Sequence, residues 1–302
     1  MDQVISRVIE TEKEYDQFTG TPQIWYNLKH WEPLMLSLLT SPALATYLKE
    51  QLLTHKLVDR NSVFVVLQIA RLTLDEALWL RTAEDFAEAE QSIMLQLLDT
   101  YQAQDSRTSF LRTARKAMEI YPSLFNEYIF AHVSPEEDKQ LYLQALDSLT
   151  RQKRSVEHYR LLQPYLSQQQ RDAFIESFWN SYDSLFYVKL LEVEYRFTDI
   201  MKVLKQTSIW QGRDYAAILA PVASHFPNEC MDLVMDRSTT VLESDRKNRH
   251  SYQDITSWLK VLHTVPALQE QVRLFSQHLY DTYSRLRALR EELQYAGVLR
   301  RR

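Results

Sequence analysis

Glycine is nearly missing from this 302-residue chain. There are three, Gly20, Gly212 and Gly297, against roughly 7% in an average protein. So few leave little material for two-residue hairpins, a Gly-rich phosphate loop or a dinucleotide-binding turn. Cysteine occurs once, as Cys230, which excludes an intramolecular disulfide and any multi-cysteine zinc site within one chain. A reducing, cytoplasmic compartment is the expectation. No run of 18 apolar residues occurs, so no membrane-spanning helix is expected. The acidic start Met1-Asp2-Gln3, with no apolar stretch behind it, predicts no signal peptide. Neither sign of charge dominates. The formal net charge of −5 exerts no strong global pull toward nucleic acid or an acidic membrane.

Chemistry-bearing motifs are missing too. There is no His-Glu-x-x-His, no histidine with a glutamate three residues before it, and no Asp-rich calcium loop, which removes three common metal patterns. Ser257-Trp258-Leu259-Lys260 matches the Ser-x-x-Lys of penicillin-recognising enzymes, but the partner motifs are absent. A helix that buries Trp258 accounts for it. His225, Glu229 and Cys230 are ligand-type side chains, but Pro227 starts a helix between them, and capping and core packing explain them. The expectation is a non-enzymatic protein with no cofactor and no metal.

What is present is helix. Leu, Glu, Gln, Arg and Ala, which enter helices at little cost, are plentiful,. Apolar residues recur at three- and four-residue steps, starting with Val4, Ile5, Val8 and Ile9 and then Trp25, Leu28, Trp31, Met35 and Leu38,. Residues 62–80 are strand-like by propensity, with Val63, Phe64, Val65 and Val66 in a row,. The helical step of Leu67, Ala70, Arg71 and Leu74 nevertheless predicts helix. Glu84 to Tyr101 reads as one amphipathic helix, with Phe86, Ala89, Ile93, Leu97 and Tyr101 on one face,. Ser134-Pro135-Glu136-Glu137 is a helix start with a hydroxyl cap, a first-turn proline and acids at the positive end of the dipole. Ser167 is another cap, and Gly212 is expected to close a helix. Leu268, Val272, Phe275, Leu279, Thr282, Leu286, Leu289 and Leu293 form a heptad seam along one long final helix. That helix either caps the last repeat or pairs with a second copy in a homodimer.

Tyr121-Pro122 and Phe226-Pro227 lie 105 residues apart, a span that three units of about 35 residues would fill. That length suits helical hairpins stacked side by side. The expected fold is all-α: an α-α superhelix, a solenoid of stacked hairpins similar to tetratricopeptide or HEAT-type arrays, although the tetratricopeptide consensus is not matched. Two parts are expected, an N-terminal helical part over residues 1–104 and a helical-repeat part over 105–302, continuous with the first.

Two functions fit such a fold. One is an interaction scaffold that holds a protein or peptide in a groove. Trp25, Trp31, Trp79, Trp179 and Trp210 recur along the chain, and spacing does not say which would face a groove. The other is an accessory nucleic-acid-binding module on a basic C-terminal surface. Its candidate contacts are Arg237, Arg246, Lys247 and Arg249, with Arg287 and Arg290 nearby in sequence and Arg300 to Arg302 behind them,.

The series Tyr121-Pro122, Phe226-Pro227-Asn228-Glu229-Cys230, Arg249-His250-Ser251-Tyr252, Trp258-Leu259-Lys260 and Leu286-Arg287-Ala288-Leu289-Arg290 resembles a known arrangement. It is similar to the helical C-terminal region that follows the zinc-binding SWIM finger in large bacterial proteins, over roughly residues 105 to 302. The finger's cysteines and histidine are absent here, so zinc binding and recognition by that finger do not carry over. The resemblance implies the helical part alone, as a fragment or a stand-alone relative.

Overall fold

The computed structural model describes residue 39 and residues 41–54, 63–179, 184–207, 212–245 and 248–299. Among these residues it contains sixteen α-helices, two short 3-10 turns and no β-strand, so the chain is all-α. The helices expected before residue 39 lie outside the described residues. No described helix is long and apolar enough to cross a membrane. The chain divides into two compact units, residues 1–148 and 149–302.

The first unit contains α1 (Pro42–Thr54), α2 (Val63–Leu72), α3 (Glu76–Phe86), α4 (Gln91–Ala103), α5 (Arg107–Ile120), α6 (Pro122–His132) and the first part of α7 (Lys139–Lys153). From α1 to α6 each helix packs on the next. The strand-like stretch forms α2, which buries Val63, Val65, Val66, Leu67, Ile69 and Ala70. Contacts with α1 on one side and α3 on the other outweigh the weak β-propensity of its valines. The helix expected from Glu84 to Tyr101 is two helices. The Phe86 carbonyl accepts from the amides of Ala89 and Glu90 at 3.0 and 3.1 Å, closing α3 before α4 begins. The start at Ser134 is also displaced. Glu137 reaches back to the Ser134 amide at 2.9 Å, and α7 begins at Lys139, with Asp138 accepting from the Leu141 amide at 3.0 Å.

The second unit contains α8 (Val156–Leu162), α9 (Gln168–Glu176), α10 (Ser184–Val193), α11 (Phe197–Gln206), α12 (Gly212–Leu219), α13 (Pro227–Glu243), α14 (Arg249–His263), α15 (Gln269–Thr282) and α16 (Arg287–Ala296). Its packing skips alternate helices. Besides contacts between neighbours, α8 touches α10, α10 touches α12, α12 touches α14 and α14 touches α16. These even-numbered helices make a row, and α9, α11, α13 and α15 pack on its members. Stacked helical hairpins show this pattern, because each hairpin covers its apolar side with the next. Gly212 opens α12 rather than closing a helix. The Ser167 cap is a full capping box with Gln170,.

Four interhelical turns share one geometry. Leu74, Asp105, Arg154 and Tyr195 have φ between +48° and +55°. In three of them the next amide reaches back five residues: Asp75 to Ala70, Ser106 to Tyr101 and Arg196 to Leu191, at 2.8–2.9 Å. This is the Schellman closure, which usually uses glycine. The residue that ends one helix then leads straight into the cap of the next. Asp75 accepts from the Leu78 amide and Ser155 from the His158 amide. The two aromatic–proline sites also match. Tyr121 (φ −130°, ψ 51°) and Phe226 (φ −132°, ψ 58°) each precede a proline at a helix start.

The long final helix is interrupted. It breaks over Tyr283–Leu286 into α15 and α16. Six of its eight seam residues, Leu268, Val272, Phe275, Leu279, Leu289 and Leu293, are buried within the chain. A seam covered by its own chain is not an open surface for a homodimeric coiled coil, which corrects that expectation.

Candidate functional site

The described basic candidates take different roles. Arg237 is withdrawn from the surface, with 8% of it exposed. It lies in the middle of α13, with its guanidinium carbon 3.9 Å from the centre of the Tyr215 ring and 5.2 Å from that of Trp258. It donates from Nη1 to the Thr207 carbonyl at 3.0 Å. Burial lowers its pKa, yet an arginine stays charged. Its role is therefore a buried cation between two aromatic rings, and phosphate contact is corrected for this residue. Arg246 and Lys247 lie outside the described residues. Arg249 is exposed and donates from Nε to Glu292 at 2.9 Å. Arg287 donates to Glu291 at 2.9 Å. The half-buried Arg290 lies 4.1 Å from the Tyr280 ring centre. Arg249 and Arg287 thus have an acid beside them, which offsets part of the positive field that a phosphate would meet,.

The other sequence candidates take structural roles. Trp79 and Trp258 are buried, Trp179 is exposed and packs edge-on against Tyr187 at 5.2 Å, and Trp25, Trp31 and Trp210 lie outside the described residues. Ser257 donates to the Asp254 carbonyl of its own helix. His225 stacks on Phe197 at 3.7 Å, Glu229 pairs with Lys205 at 2.8 Å, and Cys230 is buried. Burial, helped by Glu229, pushes the Cys230 thiol up to about 11, so it is inert at neutral pH. Among the described residues no cluster of His, Cys, Asp and Glu has the arrangement of a metal site.

Two polar clusters have no motif to mark them. In the second unit, Glu194 accepts from Tyr159 Oη at 2.7 Å and Gln163 Nε2 at 2.8 Å, with Arg171 3.4 Å away. Burial, reinforced by Glu194, drives the Tyr159 hydroxyl far above its usual range. Arg196 adds contacts to Asp172 and Asp199 at 3.2 and 2.8 Å. These ties join α8, α9, the turn after α10 and the start of α11, and they hold the hairpins together.

In the first unit, α5 is flanked by acids on both sides. Arg112 meets Glu84 at 3.2 Å and Lys116 pairs with Glu88, both toward α3. Arg107 donates to Glu137 at 2.7 Å and Arg115 to Asp138 at 2.8 Å, both toward α7. A cleft opens on each side. The α7 cleft, about 360 Å³, is lined mainly by Arg115, Glu119, Asp138, Gln140 and Gln144. The α3 cleft, about 260 Å³, lies beneath the Glu84 and Glu88 pairs. Its base is formed by the buried Ala87, Met94, Leu97 and Thr113. Tyr101 donates to Glu84, and Tyr121 Oη donates to the Glu88 carbonyl at 2.8 Å. Burial, with Glu84 adding to it, raises the Tyr101 hydroxyl to about 12.

No protein-family description, no curated protein and no solved structure matches the chain.

Proposed function

We propose that this chain is a non-enzymatic interaction scaffold, with the second unit a segment of helical-hairpin solenoid that holds a protein or peptide partner. The observation that supports this reading is the row α8–α10–α12–α14–α16, in which every other helix touches the next. Its partners α9, α11, α13 and α15 pack on α10, α12, α14 and α16. The remaining face of the row runs across five successive row helices, enough to engage an extended segment at several points,. Ser257, His225 and Cys230 are absorbed into helix bonding and packing, which fits a binding role better than a catalytic one.

Photo-crosslinking tests the proposal. A benzophenone side chain at the exposed Lys189, Gln253 or Gln294 of the row should capture one and the same partner. The same probe at Met235 on α13 or Leu274 on α15 should not. Equal capture from both sets, or none from the row, would refute it.

An accessory nucleic-acid-binding module is the second reading. It is favoured by the exposure of Arg249 and Arg287 on α14 and α16, two helices in contact. A gel shift that weakens with salt and is lost in Arg249→Glu and Arg287→Glu variants would support it. A shift insensitive to salt would count against it.

A further inference from the structure

We draw no further inference here: the strongest candidate, the cleft of about 360 Å³ between α5 and α7, is lined by Arg115 and Asp138, which pair with each other, and by the exposed Glu119, Gln140 and Gln144, and nothing in the structure shows what fills it.

Discussion

Leu74 offers a direct test of the turn geometry. It has φ +54° and is 90% exposed, so its side chain contributes almost no packing. An L-residue in the left-handed region carries a cost of about 1–2 kcal/mol from crowding between Cβ and the carbonyl. Leu74→Gly removes that crowding. It also gives the unfolded chain more freedom, which offsets about 0.5–1 kcal/mol. The net expectation is a gain of about 0.5–1 kcal/mol. Leu74→Ala keeps Cβ and should fall within about 0.5 kcal/mol of wild type. Urea unfolding followed by circular dichroism reads both, as shifts in midpoint at constant slope. If Leu74→Gly instead falls about 1 kcal/mol below Leu74→Ala, the cost of glycine inside a helix, residue 74 is not left-handed and the turn assignment fails. Tyr195→Gly should behave alike but gain less, because it gives up the edge contact with Phe197 at 6.3 Å.

The burial of Arg237 predicts that Arg237→Ala destabilises by about 2–4 kcal/mol, from the lost ring contacts and the bond to Thr207. Arg249→Ala, which removes the more exposed partner of a pair with Glu292, should cost no more than about 1 kcal/mol,; chemical denaturation compares them. Acid titration probes the α7 side of α5. Arg107, with the Ser134 amide, holds Glu137 below its ordinary value. Burial pushes Asp138 up, but the Leu141 amide and Arg115 outweigh it and leave it lowered as well. Both folded values lie below the unfolded ones, so the stabilisation is present above about pH 4 and is lost as the pH falls through the depressed values. Glu137→Gln with Asp138→Asn should therefore flatten the fall in thermal midpoint below about pH 4; an unchanged acid limb would refute the assignment. Ser238 and Ser276 are fully buried, and their hydroxyls have no hydrogen-bond partner among the described residues. Changing either to alanine should be neutral or stabilising by up to about 1 kcal/mol, whereas a loss of that size would reveal a bound partner for the hydroxyl.

Helix was legible because apolar steps of three and four residues persist along the chain. The breaks were not. Ala87, Glu88, Ala89 and Glu90 are good helix formers, yet most of them form a turn, and the apolar rhythm resumes on the other side of it. The left-handed positions hold Leu, Asp, Arg and Tyr where glycine would have marked them. The final seam continues through Leu286, so only contacts between α15 and α16 reveal that it folds back. Arg237 carried a readable sign. It falls on the stripe of Cys230, Val234 and Val241, which is the buried face of α13. Its charge suggested surface, while its register pointed to the core. The Glu84–Glu88 and Arg112–Lys116 spacings are visible in the sequence, but their meeting depends on which helices lie side by side.

The stacking of alternate helices carries the account, and it can be measured where α12 meets α14. Tyr215 and Trp258 sit edge to face there, with ring centres 5.2 Å apart, although they are 43 residues apart in the chain. A double-mutant cycle with Tyr215→Leu and Trp258→Leu should give a coupling energy of about 0.5–1.5 kcal/mol. Strictly additive effects at the two positions would mean that the rings do not meet, and the row would lose its central contact.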